Sequence, residues 1–293
     1  MLFKSGRWRT SFQPSFSWRI ILRIACLIIT LICLTAIFPR CTPPAALNAD
    51  LEFHKEILRD SCSQGSSDAI SIYAINAGTA RVYLLVAPGG MVLFDTGWPG
   101  YERKILKLIR LLGRDDLKLI VISHGHFDHY GSTAAIKRLT GAKVAIHADD
   151  ADALENSKTP LPIVRSLGIA GKLILPFGEL LMKPEGLRAD ILFEDGFDLN
   201  SFGVNGRIVH LPGHTPGHCG LMLPGKIVLV ADLITWDTHP RSQCYFADNW
   251  STIAESLKKL KDFAPEKIYL GHGKRYLTKG QLMELTPWIP KDN

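Results

Sequence analysis

The sequence predicts an α/β fold in which two β-sheets pack together and helices cover their outer faces. Short β-rich segments alternate with helical patterns in the first half of the chain, and a similar alternation returns in the second half. Hydrophobic residues make up 46% of the 293 positions, which is ample for a buried core. We therefore expect most of the chain to form a layered α/β structure.

The first half opens with three β-rich segments separated by glycines and Pro88, a spacing typical of antiparallel strands joined by turns. The next pattern is helical, because Ile105, Leu108, Ile109 and Leu112 recur on one helix face. A second alternation of strands and helices follows. In order, the predicted elements are strands 70–75, 81–86 and 91–94, helix 101–112, strand 119–122, helix 132–139, strand 143–146 and helix 149–154.

The second half repeats this logic without clear sequence identity to the first. Its predicted elements are strands 191–193, 207–211, 221–223 and 227–230, helix 253–263 and a last strand at 267–270. Segment 156–188 fits neither half. Its apolar clusters predict an inserted helical segment that either overhangs the functional site as a lid or packs against a sheet.

The most informative motif is S-H-G-H-F-D-H-Y-G-S at positions 123–132, directly after the predicted strand 119–122. Four metal-ligand side chains lie there within six positions, namely His124, His126, Asp128 and His129. The first two can direct their imidazoles at one ion, and the last two, beyond the turn, can reach a second ion. Zinc accepts this mixture of nitrogen and oxygen ligands, and a catalytic site keeps one coordination position for water. The motif therefore predicts a metal centre with two ions.

The H-x-H-x-D-H pattern after a buried strand resembles the signature of the metallo-β-lactamase fold. Three further motifs stand in the order of that family, G-H-T-P-G-H at 213–218, V-A-D at 230–232 and L-G-H-G at 270–273. The resemblance extends over residues 70–285. It implies a four-layer αβ/βα sandwich of the metallo-β-lactamase type.

The same resemblance implies the ligands of two divalent metal ions. By position, the first ion is held by His124, His126 and His214, the second by Asp128, His129 and His272, and Asp232 bridges the two. We expect zinc, although iron and manganese accept the same ligands. A water shared by two such cations loses a proton near neutral pH, and Asp128 is expected to orient the resulting hydroxide and to pass its proton to the leaving group.

These residues predict a dinuclear metal-dependent hydrolase whose bridging hydroxide cleaves a small-molecule ester, thioester or lactone. Phosphodiester cleavage and β-lactamase-type amide hydrolysis are the alternatives. Thiolate-dependent β-lactamases place Cys where this chain has Asp232, and diiron flavoproteins place Glu where His126 stands, so both of those chemistries are disfavoured. Two departures leave the substrate open. Glyoxalase II would show a Gly-Arg-rich stretch after Asp232, and acyl-homoserine lactonases have Tyr where this chain has Thr235.

Several other residues receive narrower interpretations. Asp95, in the sequence L-F-D-T-G, resembles the carboxylate that hydrogen-bonds and orients a metal ligand in this family. A simple turn aspartate is the alternative, whereas an aspartic protease is disfavoured because a single D-T-G copy exists. We predict that His147 and His210 are structural and that His218 packs in the interior, the alternative being that His218 contacts substrate or supports a metal ligand. The aromatic segment 233–250 is predicted either to wall a substrate pocket or to pack in the core.

The first 49 residues carry six Lys or Arg and no Asp or Glu, which leaves 28 basic residues to balance 28 acidic ones in the remainder. The catalytic part therefore shows no basic footprint for nucleic acid. Segment 24–38 is uncharged and apolar, and it extends to 19 residues from position 20 if Arg23 directs its charge towards the headgroups. Together with the basic flank, this predicts a segment that contacts the membrane.

The predicted organisation is a basic region at 1–19, a transmembrane anchor or signal segment at 20–38, a tether at 39–67 and a metallo-β-lactamase-like hydrolase domain at 68–293. The tether is expected to contain one short helix around 51–58. The positive-inside rule leaves the N-terminus in the cytoplasm and places the catalytic domain outside it. We expect a membrane-anchored protein, the alternative being a secreted or periplasmic one after signal cleavage.

Overall fold

The computed structural model describes residues 53–58, 69–159, 163–164, 183–236, 239–273 and 276–288. The predicted membrane segment 20–38 and most of the predicted insertion 156–188 lie outside these ranges. Within them, none of the helices combines the length and the apolar character needed to cross a membrane.

The described chain alternates strands and helices. The strands are β1 (Phe53–Leu58), β2 (Ile70–Ala77), β3 (Ala80–Ala87), β4 (Gly90–Phe94), β5 (Leu117–Ile122), β6 (Lys143–His147), β7 (Ile163–Val164), β8 (Ile191–Phe193), β9 (Arg207–His210), β10 (Cys219–Leu223), β11 (Ile227–Leu229), β12 (Ile234–Trp236), β13 (Pro240–Ser242), β14 (Phe246–Ala247), β15 (Lys267–Tyr269) and β16 (Leu277–Thr278). The α-helices are α1 (Glu102–Leu111), α2 (Phe127–Tyr130), α3 (Thr133–Thr140), α4 (Ala151–Asn156), α5 (Trp250–Asp262) and α6 (Lys279–Glu284).

The first sheet has seven strands in the order β1-β2-β3-β4-β5-β6-β8. Strands β1 to β4 are antiparallel neighbours. Strands β4, β5, β6 and β8 run parallel, with α1 and α3 in the crossovers that parallel pairing requires. The central strands are almost continuously apolar because both faces of this sheet are covered.

The second sheet has five strands in the order β16-β15-β11-β10-β9. Strands β9, β10 and β11 are antiparallel neighbours, and β11 pairs in parallel with β15 after the crossover through α5. Strands β9, β11 and β15 therefore point in one direction. Two small two-stranded sheets, β12-β13 and β7-β14, complete the described pairing.

Three groups of buried side chains fill the spaces between four layers. Leu85 of the first sheet and Leu221 of the second lie in the group between the two sheets. Ile105 of α1 belongs to the group beneath the helices of the first sheet. Leu257 of α5 belongs to the group beneath the helix of the second sheet. The layer order is thus helix, sheet, sheet, helix, which confirms the predicted αβ/βα sandwich.

Helix α5 also anchors a loop that reaches the functional site. The side chain of Asn249 caps the helix by accepting hydrogen bonds from the backbone N–H groups of Ser251 and Thr252. The backbone N–H of Asn249 donates to the carbonyl of Gly213 at 2.9 Å. A Cβ on Gly213 would lie 2.5 Å from the backbone nitrogen of Ile253, and its φ of +123° favours glycine as well. The loop that starts at Gly213 is therefore fixed against the helix.

Three predictions about the elements are wrong. Residues 163–164, within the predicted helical insertion, form strand β7, which pairs with β14. The predicted short helix around 51–58 is the edge strand β1, whose backbone pairs with β2 over six positions. A six-residue run is too short for periodicity to separate a helix from an edge strand. Strand 191–193, predicted within the second half, is β8 of the first sheet, where it pairs in parallel with β6. That assignment depends on a long-range crossover, which the local pattern does not report.

Candidate metal centre

The four histidine and aspartate motifs meet at one end of the two sheets. The H-x-H-x-D-H motif follows the carboxyl end of β5, and the other three motifs follow the carboxyl ends of β9, β11 and β15. Since those last three strands point in one direction, their following loops gather at a single edge. Open α/β sheets commonly place their ligand sites at this edge.

The first group of candidate ligands is His124, His126 and His214. Their ligand atoms all lie within 4.8 Å of one another, and all three residues are buried. The Nδ1 atom of His126 is 3.0 Å from the Nε2 atom of His214. Across the described part of the chain, no hydrogen-bond partner is found for the buried Nε2 atoms of His124 and His126.

Electrostatics keep this first group uncharged. Burial lowers the pKa of His126, and it lowers the pKa of His124 and His214 far below the ordinary histidine value. Mutual repulsion within the cluster adds to the effect on His124 and His214. Neutral imidazoles with buried nitrogen atoms that lack partners are costly unless something accepts their lone pairs. A divalent cation fits that requirement, because it binds deprotonated imidazole nitrogen.

The second group is Asp128, His129 and His272, whose ligand atoms also lie within 4.8 Å of one another. The Nε2 atom of His272 is 3.5 Å from the Oδ2 atom of Asp128 and 3.4 Å from the Nε2 atom of His129. His129 is fully buried, whereas the side chains of His272 and Asp128 are 28% and 17% exposed. The centre therefore opens to solvent on the side of this second group.

The carboxylate of Asp232 lies between the two groups. Its Oδ2 atom is 3.5 Å from the Nε2 atom of His214 in the first group and 3.1 Å from the Nε2 atom of His272 in the second. Its Oδ1 atom is 3.4 Å from the Nε2 atom of His129. All seven residues that the sequence predicted as ligands are thus brought together, and the Asp232 carboxylate lies within 3.5 Å of a histidine from each group.

The second group holds protons that the first group does not. Burial lowers the pKa of His272, but Asp232 and Asp128 outweigh that effect and raise it to about 9. Burial also acts on His129, and Asp232, Asp128 and Asp95 together hold its pKa well above the ordinary value. For Asp232 itself, burial raises the pKa, but the nearby His272 and His129 hold it well below its usual range. Without a cation, the second group is therefore a set of charged pairs.

This difference predicts that the two positions respond differently to pH. A cation entering the second group must displace the proton of His272, so affinity there should fall about tenfold per pH unit for each proton displaced as pH drops below about 9. The first group has no proton to lose at neutral pH, so its affinity should stay constant between pH 7 and 9. Competition titrations against a chelator at pH 7, 8 and 9 measure both. Equal pH slopes for the two ions would contradict this reading.

Asp95 connects the two groups through hydrogen bonds on the side of the histidine rings that faces away from the centre. Its Oδ2 atom is 2.8 Å from the Nδ1 atom of His129 and accepts a hydrogen bond of 2.8 Å from the hydroxyl of Ser123. The Ser123 hydroxyl lies 2.9 Å from the Nδ1 atom of His124. Because that hydroxyl donates to Asp95, it accepts from His124, which leaves the Nε2 lone pair of His124 free for a cation. Asp95 has a φ of +63°, an uncommon conformation for a residue with a side chain.

We expect Asp95→Ala to weaken cation binding without abolishing turnover at saturating metal. The substitution removes the group that orients His129 and Ser123, and losses of such partners typically cost about 10 to 100-fold in metal affinity. Affinity and turnover should be measured in parallel for Asp95→Ala and for Asp115→Ala, a control at an aspartate outside the centre. Wild-type affinity in the first variant would show that Asp95 does not orient the ligands.

The backbone of Asp232 is held by His218, for which the sequence left this role open, and by Gln243, which the sequence did not single out. His218 accepts a hydrogen bond of 3.1 Å from the backbone N–H of Asp232 at its Nε2 atom, and its Nδ1 atom donates to the carbonyl of Leu211. Burial lowers the pKa of His218 to about 4, so it remains neutral. Gln243 donates from Nε2 to the carbonyl of Asp232 at 2.9 Å. His218 is thus interior, as predicted, and also holds the backbone of the candidate ligand Asp232.

Part of the aromatic segment 233–250 packs in the core, the second of its two predicted roles. Trp250, the first residue of α5, is buried and packs edge-on against Trp288, so it belongs to the core. Phe246 contributes its backbone carbonyl, 2.8 Å from the Nδ1 atom of His214. The side chain of Trp236 lies outside the described residues. His239 and Arg241 pair at 3.0 Å on the two-stranded sheet that follows Asp232.

A fourth group of potential ligands, His147, Asp149 and His210, lies apart from the seven. The two imidazole rings stack at 4.1 Å with an angle of 12° between them. The Nδ1 atom of His147 accepts a hydrogen bond from the backbone N–H of Asp149, and the Nε2 atom of His210 donates to the carbonyl of Pro216. These contacts match the predicted structural role of both histidines.

Comparisons with known proteins agree with this geometry. The model of the metallo-beta-lactamase superfamily matches residues 75–272, a range that contains all seven candidate ligands. The chain is similar to the probable metallo-hydrolase YflN of Bacillus subtilis, with 28% identity over 231 residues that cover 71% of this chain and 86% of the relative. It is also 28% identical to hydroxyacylglutathione hydrolase GloC of Haemophilus influenzae over 196 residues, which cover 65% of this chain and 84% of that protein.

Among solved structures, TTHA1623 in a di-iron-bound form resembles the chain with a TM-score of 0.55 and 28% identity. The match covers 72% of this chain and 95% of TTHA1623. The similarity therefore includes nearly the whole of that neighbour.

Proposed function

Because the chain belongs to the metallo-beta-lactamase superfamily, we propose that it is a dinuclear hydrolase that cleaves a small ester, thioester or lactone. The position of Asp232 carries this proposal. Its two carboxylate oxygens face His214 on one side and His129 and His272 on the other. A carboxylate that lies between two clusters of imidazole nitrogens can bind a cation on each side once the protonated imidazoles have lost their protons. This arrangement supports a two-metal site.

Two divalent cations held here would lower the pKa of a water molecule between them and would polarise the bond to be cleaved. The residues of the chain provide the rest. His129 and His272 are fixed through their Nδ1 atoms by the carboxylate of Asp95 and the carbonyl of Thr79, so both Nε2 atoms face the centre. We propose that the partly exposed carboxylate of Asp128 accepts a proton from the attacking water and passes it to the leaving group.

The substrate is proposed to approach from the side of His272 and Asp128, where the centre opens to solvent. The histidines of the first group are almost completely inaccessible, so substrate cannot reach them from the opposite side. An acylated thiol fits the chemistry expected of the site, and the similar protein GloC is named for the hydrolysis of hydroxyacylglutathione. Zinc is our proposal for both ions. The similarity to a protein described in a di-iron-bound form makes iron the comparison to include in the test.

The decisive experiment is a substrate profile of the full-length chain loaded separately with zinc, iron and manganese. The panel contains an acylglutathione thioester, a homoserine lactone, a p-nitrophenyl ester, a phosphodiester and a β-lactam. We expect turnover of at least one of the first three, its loss on chelation and its recovery on adding metal. Asp128→Asn should bind metal yet turn over slowly, whereas the exposed Asp115→Asn serves as its matched control. Cleavage of the phosphodiester or the β-lactam alone would overturn the proposed substrate class.

We also propose that the catalytic domain lies outside the cytoplasm, anchored through segment 20–38. The support is the sequence, since six basic residues and no acidic one precede position 50. A reporter enzyme that is active only outside the cytoplasm, fused after Asn293, should give signal. Signal from a reporter active only in the cytoplasm would contradict the proposal, and a mature N-terminus beyond segment 20–38 would identify a cleaved signal peptide.

A further inference from the structure

Asp150 is a buried carboxylate that the proposed chemistry does not use. It ends a short 3-10 turn directly after β6 and is only 2% exposed. Its Oδ2 atom accepts hydrogen bonds from the backbone N–H of Gly125 at 2.7 Å and from the hydroxyl of Thr215 at 2.5 Å. Its Oδ1 atom accepts from the backbone N–H of Gly217 at 2.8 Å. All three donors are therefore in loops that carry ligands.

These donors belong to two loops that arise from different sheets. Gly125 separates His124 from His126 in the loop after β5, and Thr215 directly follows His214 in the loop between β9 and β10. The first cation position needs ligands from both loops. A single carboxylate therefore bridges the two halves of the first group.

Within the described chain, Asp150 accepts no hydrogen bond from a cationic side chain, the partner that usually stabilises a buried carboxylate. Its hydrogen-bond donors within the described chain are two backbone amides and one hydroxyl, none of which is cationic. Burying an anion costs considerable free energy, which several directed hydrogen bonds can offset. An asparagine would keep one acceptor oxygen for two of these donors and would turn its NH₂ group towards the third. Two loops that both present donors require an acceptor on each side, which a carboxylate provides.

Two glycines allow the loops to approach Asp150 closely enough for these hydrogen bonds. A Cβ on Gly217 would lie 2.8 Å from the Cγ atom of Asp150, and a Cβ on Gly125 would lie 2.6 Å from the Cβ of Ala153. Both loops thus approach the Asp150 segment more closely than a side chain would allow. Glycine at these two positions lets the backbone N–H groups reach the carboxylate.

We propose that Asp150 is a positioning residue that sets the separation between the His124–His126 loop and the His214 loop, and thereby the affinity of the first cation position. The proposal rests on the proposed function, because it assumes that this position holds a metal. The second group is held by other contacts, namely Asp95 behind His129 and the carbonyl of Thr79 behind His272. Loss of Asp150 should therefore affect the first position selectively.

Cobalt(II) titration of the metal-free full-length chain tests the proposal, because cobalt reports ligand geometry through its visible spectrum. In Asp150→Ala, cobalt affinity at the position formed by His124, His126 and His214 should fall about 10 to 100-fold, with a changed spectrum. Affinity at the position formed by Asp128, His129 and His272 should change by less than about threefold. Asp150→Asn should fall in between, because its amide oxygen can still accept from Gly125 and Thr215 but its NH₂ group faces the N–H of Gly217. Asp152→Asn, at an exposed aspartate, is the matched control.

Two results would overturn the proposal. One is wild-type affinity and spectrum at both positions in Asp150→Ala. The other is an equal loss at both positions, which would make Asp150 a general structural residue. If Asp150→Ala does not fold, Asp150→Asn and Thr215→Val, which removes one of the three donors, decide between the same outcomes. If the wild-type chain binds two cobalt ions but hydrolyses nothing, the proposed function is contradicted, and the comparison of Asp150 variants still tests the positioning role. If the wild-type chain binds no cobalt, both proposals are contradicted.

Discussion

Asp232→Ala is expected to reduce the cation content from two ions per chain to one and to abolish hydrolysis. The three histidines of the first group can still bind one ion without Asp232, but the second group then loses the carboxylate that lies 3.1 Å from His272 and 3.4 Å from His129. Turnover should fall by more than the 10 to 100-fold that is typical when a hydrogen-bond partner of a metal ligand is removed, because this substitution removes a ligand shared by both ions.

Elemental analysis and initial rates on the same preparations measure this result. Asp152→Ala, which changes an exposed aspartate, should keep both ions and full activity. The fourth histidine group is a potential source of one additional ion, so the stoichiometry should also be determined in a His210→Asn background. Two tightly bound ions and near-normal rates in Asp232→Ala would refute the bridging role.

Gly271→Ala should produce a comparable loss through a single added methyl group. A Cβ at this position would overlap the carboxylate of Asp232 and lie 3.0 Å from the Cε1 atom of His129. The backbone of Gly271 does not have a positive φ, so alanine is conformationally allowed and the effect comes from space alone. The nearest neighbour is the Asp232 carboxylate, and the backbone carbon of Ala231 and the ring of His129 close the other sides, so the methyl group must displace the carboxylate.

We expect at least about a 10-fold loss of affinity for the second ion, the lower end of the range for disturbed ligand orientation, together with slow turnover. Gly280→Ala is the matched control, since a Cβ there would meet its nearest neighbour at 4.0 Å and alanine favours the helix α6 in which it lies. Metal titration and thermal unfolding of both variants separate a local effect from a global one. Unchanged metal binding in Gly271→Ala would mean that the Asp232 carboxylate can move aside freely.

The layered fold and the set of seven predicted ligands can both be inferred from the sequence, because both depend on local patterns. Strong apolar runs predict β2 to β6, and each predicted ligand motif follows a strand end. In the second sheet, the common direction of β9, β11 and β15 is enough to bring three of the four motifs to one edge. The placement of β8 required knowledge of a crossover between distant segments. Local periodicity also could not identify β1, since an edge strand is specified by pairing with its neighbour rather than by a buried face.

The supporting residues were harder to predict because they act through long-range hydrogen bonds. Ser123 lies next to a ligand, yet its importance depends on Asp95, 28 residues earlier in the chain. Asp150 contacts Gly217 across 67 positions and carries no motif of its own. Gln243 reaches the backbone of Asp232 through a loop with no regular pattern. Such partners are identified only when the fold brings them together.

The shared support from Asp95 constrains how this centre can change during evolution. One carboxylate contacts His129 directly and reaches His124 through Ser123, so a substitution at position 95 disturbs both cation positions in one step. A lineage that adapts one position to a different metal cannot do so from this side without altering its neighbour. Adaptation of a single cation position must therefore begin in a loop that contributes residues to that position alone.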